Sequence, residues 1–409
     1  MVNEYQITSL ALNGLAAGLE GKSEFIGTVS KRFVKGFMQK DINVGQTVDF
    51  VLPPRPNSWV EGRVIDPQAT EYEKVSLTAI QKNTSRVISD ADLELSAKEF
   101  FSDVVEPDIN GGIREAEIES LLGVLNQGCM LDIDSIGQTP ANSRVWSNIH
   151  AKSRMMLMPS QGNFGITDPL TMSALADNES KLFRPDELVD VAALDGRVSK
   201  FAGVGKFYDS VNLPTLTNGD GSCTGVLVKG ANQTGNSLAV DTVAAGSKYL
   251  IGQKFWFSDA TVGFALDPEK HFALPFKQTF TLTEECDVTA NAATLVFAPA
   301  IIITGSLQNQ LVSPPDDAAI TFAGVPSGVY PVSMHYNKDA INFVGLKLPT
   351  FQERGGVTKS KDYMGLPLRT CYFTDYKEGQ NYLRYDKMNG ICNVRWQHVW
   401  IQLGELIES

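Results

Sequence analysis

Histidine and cysteine are scarce in this chain, and what there is of them is scattered. The four histidines, His150, His271, His335 and His398, stand apart from one another and from the cysteines, which excludes the clustered spacing of a zinc site. Five cysteines, Cys129, Cys223, Cys286, Cys371 and Cys392, form an odd, widely spaced set without a CxxC pair. That argues against a disulfide framework and for reduced thiols in a cytoplasm-like compartment. The fingerprints HExxH, GxSxG and GxGxxG are missing, and with them the common hydrolase and dinucleotide readings. Gly203, Gly205 and Lys206 imitate a phosphate loop, but Lys200 stands where that loop needs glycine and Phe207 where it needs Ser or Thr. No apolar run approaches the roughly 20 residues that span a bilayer. The N-terminal MVNEYQITSLALNGL lacks the basic start and cleavage site of a secretory signal. The expectation is a soluble chain, intracellular when made, with no membrane partner and no cofactor.

Positive charge is also short. A net charge of -12 argues against holding nucleic acid as the main task, because phosphate binding draws its affinity from lysine and arginine clusters. One local exception runs from Lys22 to Lys40, where Lys22, Lys31, Arg32, Lys35 and Lys40 outnumber the single acid Glu24. A solvated face is the plain reading of such a run, and contact with DNA or an acidic partner the sharper one.

The 409 residues are 43% hydrophobic, which suffices for two or three domains with real cores. Glycine and proline are spread along the chain, and that pattern predicts many turns and much strand. The most telling stretch is Gly45 to Ile80. Val48, Phe50 and Leu52 alternate on the outgoing run, and Val75, Leu77 and Ala79 on the return run against Lys74, Ser76 and Thr78. Between them Pro53, Pro54, Pro56 and Pro67 interrupt a regular ladder. Such a ribbon can project roughly 30 Å and is marginal alone in water, so its apolar face calls for cover from a neighbouring copy. Contact candidates are Val48, Phe50, Leu52, Trp59, Val75 and Leu77.

From Ser89 to about Leu125 apolar positions recur at three- and four-residue intervals among many acids, predicting a long helix with a kink or break at Pro107 or at Gly111 and Gly112. Thr139 and Pro140, Asp168 and Pro169, and Arg184 to Asp186 mark three further helix starts, interleaved with short strands. The TLTNGDGSCTG segment, Thr215 to Gly225, reads as a linker. Beyond it helical periodicity gives way to strands at Val226 to Val228, Phe255 to Phe257, Phe276 to Thr283 and Thr294 to Phe297. A small β-barrel or sandwich, inserted as a unit, fits them. A short helix near Asn337 to Val344 and closing strands follow.

Three further groups carry a bland and a sharp reading. Asp132 and Asp134 suggest a solvated strand edge before a metal or acid/base pair. Asn218 to Ser222 lacks the terminal glutamate of a calcium loop and reads as a turn. Trp396 and Trp400 are core or interface anchors before they are a stacking patch.

Several stretches, in this order, resemble the major capsid proteins of tailed bacteriophages with the Hong Kong-type shell fold, in the podovirus branch that carries an inserted β-barrel. They are GQTVDFVLPPRP (Gly45 to Pro56), SDADLELSAKEFFSDVVEPDINGGI (Ser89 to Ile113), GRVSKFAGVGKFYDSVNLPTLTNG (Gly196 to Gly219), MHYNKDAINFVGLKLP (Met334 to Pro349) and LRYDKMNGICNVRW (Leu383 to Trp396). The resemblance implies an α+β fold divided as N-terminal arm (1–44), extended β-hairpin loop (45–80), spine helix and peripheral domain (81–128), first half of the axial α/β domain (129–221), β-barrel (222–302) and return segments (303–409). It implies a non-enzymatic homo-oligomer of hexamers and pentamers forming an icosahedral virion shell in the host cytoplasm. Scaffolding and portal proteins and non-specifically held double-stranded DNA would be its partners. Lys31, Arg32 and Lys35 then become inner-face basic candidates and Pro107 a hinge candidate. An encapsulin-like cellular shell, or a β-rich carbohydrate-binding or tail protein, is the alternative.

Overall fold

The computed structural model describes residues 24–31, 47–52, 72–88, 106–140, 142–180, 203–259, 261–350, 356–363, 366–375 and 380–407. The chain divides into two units, one of Met1–Phe50, Ser76–Leu121 and Asn342–Cys392, the other of Val51–Val75, Leu122–Ile341 and Asn393–Ser409.

The first unit is built on a five-stranded sheet in the order Ile341–Gly345, Gln380–Asn393, Leu366–Asp375, Gly356–Tyr363, with Ile80–Ile88 also antiparallel to Gln380–Asn393. Inside it the fully buried Asp386 is answered on both oxygens. Arg369 donates to Oδ2 through two nitrogens at 3.0 and 2.8 Å, and Arg384 to Oδ1 at 2.8 Å. Helix α1 (Glu24–Thr28) buries Phe25 and Ile26, and Ser30 just beyond it makes a parallel bridge to Asn342.

Helix α2 (Glu106–Leu125) buries Ile113, Ala116 and Leu121 on one side. Three ion pairs tie its first-unit part to the sheet: Arg86 with Asp108 at 3.5 Å, and Lys82 and Lys387 with Glu119 at 2.5 and 3.2 Å. Burial pushes the Glu119 carboxyl up, but the two ammonium groups more than offset it and hold it below the usual range. A cavity of about 40 Å³ remains between helix and sheet, lined by Gly112, Ile113, Ala116, Leu368 and Tyr385 among others. The expected break at Gly111 and Gly112 does not occur, because both lie within the uninterrupted helix. Pro107 lies in the first described turn of α2, and residues 89–105 before it lie outside the described residues.

In the second unit a sheet runs Met130–Leu131, Val399–Leu403, Val329–Asn337, Asn163–Thr167, Lys206–Asp209, with Thr215–Thr217 alongside Val329 to Pro331. Two helices follow one another here. Helix α3 (Ser143–Met155) starts after Asn142, whose Oδ1 accepts from the Arg144 N–H at 3.0 Å, so the start expected at Thr139 and Pro140 lies a few residues early. Helix α4 (Pro169–Ser180) starts as expected, with Asp168 Oδ2 accepting from the Thr171 N–H at 3.0 Å. Trp146 of α3 joins Met172, Leu175 and Ala176 of α4 and meets Phe207 edge-on at 4.9 Å. The third expected helix start, Arg184 to Asp186, lies outside the described residues.

The same unit contains a closed six-stranded barrel in the order Lys254–Phe257, Phe280–Leu282, Ala292–Ile301, Gly235–Asp241, Val226–Val228, Ala319–Phe322. Phe255, Phe280, Phe297 and Phe322 fill it, with Tyr249 stacked on Phe322 at 4.6 Å. The expected boundary at 302 is corrected by one strand: Ala319–Phe322 pairs with both Lys254–Phe257 and Val226–Val228 and closes the ring. The expected strand Phe276 to Thr283 is two strands. Ala273–Lys277 pairs with Phe264–Leu266, and the fully buried polar residues Gln278 and Thr279 separate it from the barrel strand. The helix expected near Asn337 to Val344 is instead a turn between the strands Val329–Asn337 and Ile341–Gly345. There Asn337 Oδ1 accepts from the Asp339 N–H at 3.0 Å, an Asx turn that competes with helix.

Candidate assembly surface

At the base of the ribbon, Thr47–Val51 pairs with Lys74–Thr78, and the Leu52 N–H donates to the Glu73 carbonyl at 2.9 Å. The alternation splits the return run into two faces. Leu77 and Ala79 are buried, Val75 is half-buried, and the other face turns Tyr72, Lys74, Ser76, Thr78 and Ile80 to solvent. Leu52 and Leu77 were expected to take their cover from a neighbouring subunit. They find it in their own chain, with 5% and 1% of their surface exposed. Leu77 and Thr78 press so closely on Gly390 that a Cβ there would stand 2.7 Å from each. The exposed apolar groups at the base are instead Val51, Tyr72 and Ile80. The side chains of Val48 and Phe50, and the whole of Trp59, Arg32 and Lys35, lie outside the described residues. Lys31 is half-buried, and Pro107 is exposed.

The polar groups elsewhere fasten rather than gather. Asp132 does not lie on a solvated edge. It is buried beside the 3-10 turn Ile133–Ser135, accepts from Ser135 Oγ at 2.5 Å, and pairs with Lys152 of α3, which also reaches Asp134 at 2.6 Å. Burial alone would push the Lys152 ammonium down, but the two carboxylates more than offset it and raise it. Trp396, His398 and Trp400 are buried, with Trp396 and Trp400 packed among Met130, Ile149 and Met156. The NGDGS turn is held by Asp220 Oδ1, which accepts from the Lys248 N–H at 2.6 Å. All five thiols are free, and burial pushes Cys223 up to about 11 and Cys392 to about 12, so neither is a ready nucleophile. Among the described residues no group of three or more His, Cys, Asp or Glu is placed to hold a metal ion. No helix among them is long and apolar enough to cross a membrane. What sequence reading missed is the outward face of the ribbon base; the signal was Tyr72 and Ile80, in phase with Lys74, Ser76 and Thr78.

Two sheets whose polar residues serve as fastenings, an enclosed barrel, and a ribbon base with apolar groups turned outward define a structural subunit. The family model described as P22 coat protein, gene protein 5, matches residues 121–404. The chain belongs to that family and is a major capsid protein of a tailed bacteriophage. No curated protein sequence matches it. Among solved structures, a chain from Mycobacterium phage Che8 is similar at TM-score 0.45 and 11% identity, covering 93% of this chain and 91% of that one. The capsid of Cyanophage P-SCSP1u is similar at TM-score 0.43 and 10% identity, with 93% and 86% covered. A virus-like particle from Pyrococcus furiosus is similar at TM-score 0.39 and 7% identity, with 97% and 99% covered.

Proposed function

We propose that this coat protein assembles with copies of itself as hexamers and pentamers of a closed icosahedral shell in the host cytoplasm. A scaffolding protein and a portal guide assembly, and the finished shell encloses double-stranded DNA. The subunit works without catalysis and without a cofactor. The observation that carries this reading is the family match over residues 121–404.

In this reading the segments keep the roles set out from the sequence, with the barrel extended to Phe322. The ribbon lies over an adjacent subunit, using Val51, Tyr72 and Ile80 at its base together with Trp59 and the proline-rich connector. Apolar area buried between chains, at about 25 cal/mol per Å², supplies the association energy. Each contact stays small, so that misplaced subunits can leave before the shell closes. The acidic balance fits a container filled by a motor, with Lys31, Arg32 and Lys35 making non-specific contact with the packaged DNA and Pro107 serving as the hinge of α2.

The test is deletion of residues 53–67. The expected product is a folded, soluble subunit that forms no shells when co-expressed with its neighbouring genes, seen by negative-stain microscopy. Shells of normal size from that variant refute the ribbon's role.

A further inference from the structure

Lys254 is completely buried, yet among the described residues no carboxylate pairs with it. It stands on the barrel strand Lys254–Phe257. Its Nζ donates to the backbone carbonyl of Leu125, the last residue of α2, at 2.5 Å, and to Thr281 Oγ1 on the adjacent barrel strand side at 2.7 Å. The Cys129 thiol is its other polar neighbour. The last carbonyls of a helix have no partner within the helix and carry the negative end of its dipole. Here one of them is met by a side chain from 129 residues further along.

The surroundings are shaped for that reach. Gly252, at φ 89°, comes so near the residue after the helix that a Cβ would stand 2.5 Å from Asn126 Oδ1. Gly128 lies against the barrel backbone, where a Cβ would stand 3.1 Å from Pro299 N. Leu131 N–H donates to Thr279 Oγ1 at 2.9 Å. Burying an amine in this way is costly unless its N–H groups are used, and burial pushes its ammonium below the usual range. Packing alone would be served at lower cost by methionine, which has a similar stem and no donor. What lysine adds is N–H groups that bridge barrel and helix end.

We propose that Lys254 is a latch: through it the inserted barrel caps the C-terminal end of α2, so that seating the barrel and closing that helix end are one event. The latch goes beyond the assembly reading and does not depend on it, since it acts within one chain.

Amide hydrogen exchange on the full-length subunit tests it with Lys254→Met. The amides of Asn126 and Gln127, bonded to the Leu122 and Val124 carbonyls at 2.9 and 3.4 Å, should exchange about 10-fold faster, as loss of a charge-assisted bond implies. Amides of the barrel strands Gly235–Asp241 and Ala292–Ile301 should keep their rates. Unchanged rates at the helix end overturn the latch, and so does an equal acceleration in the barrel, which would mean general destabilisation. If Lys254→Met yields no soluble chain, Thr281→Val serves, since it removes one acceptor and leaves the amine. It should reproduce the pattern at smaller size, and a flat profile at Asn126 and Gln127 overturns the proposal.

Discussion

His335 lies within the second unit's sheet, wholly buried, with Nδ1 3.2 Å from the Phe164 carbonyl and its ring 5.6 Å from that of His150. A carbonyl only accepts, so this bond places the proton on Nδ1 and leaves Nε2 unprotonated. Burial, then the neighbouring His150, pushes the imidazole down to about 3, and the Phe164 carbonyl opposes them only in part. His150 is itself lowered by burial and by Arg154. The folded state therefore favours neutral His335. Its contribution is fully present above the unfolded value of about 6.5 and is lost as pH falls from there toward the folded value, at about 1.4 kcal/mol per pH unit. Urea midpoints should drop between pH 6.5 and 4.5, and His335→Asn should flatten that slope. An equal slope in the variant would assign the acid sensitivity elsewhere. Asp386 tests the opposite sign of charge. Asp386→Asn leaves Arg369 and Arg384 facing a neutral amide in a buried site, and should cost about 3–5 kcal/mol, read as a lowered midpoint in the same titration.

Helix α2 carries two glycines in its interior, at positions where an added Cβ meets nothing within 4 Å, and Gly112 borders the cavity. Gly111→Ala and Gly112→Ala should each stabilise the isolated subunit by about 0.5–1 kcal/mol, raising the denaturation midpoint. A lowered midpoint would show that the helix needs the freedom of those residues. Glycine pairs and a proline were read as a break because propensity is local, while Ile113, Ala116 and the Glu119 ion pairs hold the helix through tertiary contacts that no local pattern displays. The start of α4 was legible because its cap is local, Asp168 followed by Pro169. The turn at Asn337 was not, because Asn337 bonds back to its own backbone in a segment whose apolar spacing suits helix as well. The alternation of the ribbon's return run was read correctly, but which face the body would cover depends on Gly390, some three hundred residues away, and sequence pattern carries no such information.

At the scale of the whole molecule the barrel shows how closure differs from composition. Of its strands between Val226 and Ile301 all but Gly235–Asp241 were visible as short apolar runs, but the strand that shuts it, Ala319–Phe322, follows a long irregular segment and is only four residues long. It brings Ile320 and Phe322, both essentially buried, into the core. Without it Lys254–Phe257 and Val226–Val228 become free edges, and Tyr249 loses the ring it stacks on. Free edges recruit other chains, and two emptied core positions cost about 3 kcal/mol or more each, a large part of what a small domain has. A fragment of residues 222–302 should therefore melt without a cooperative transition and aggregate, while one of 222–323 should melt cooperatively with dispersed amide signals. Circular dichroism melts of the two fragments decide it. Equal cooperative melting by both would show that five strands suffice and that the sixth belongs to the body of the subunit.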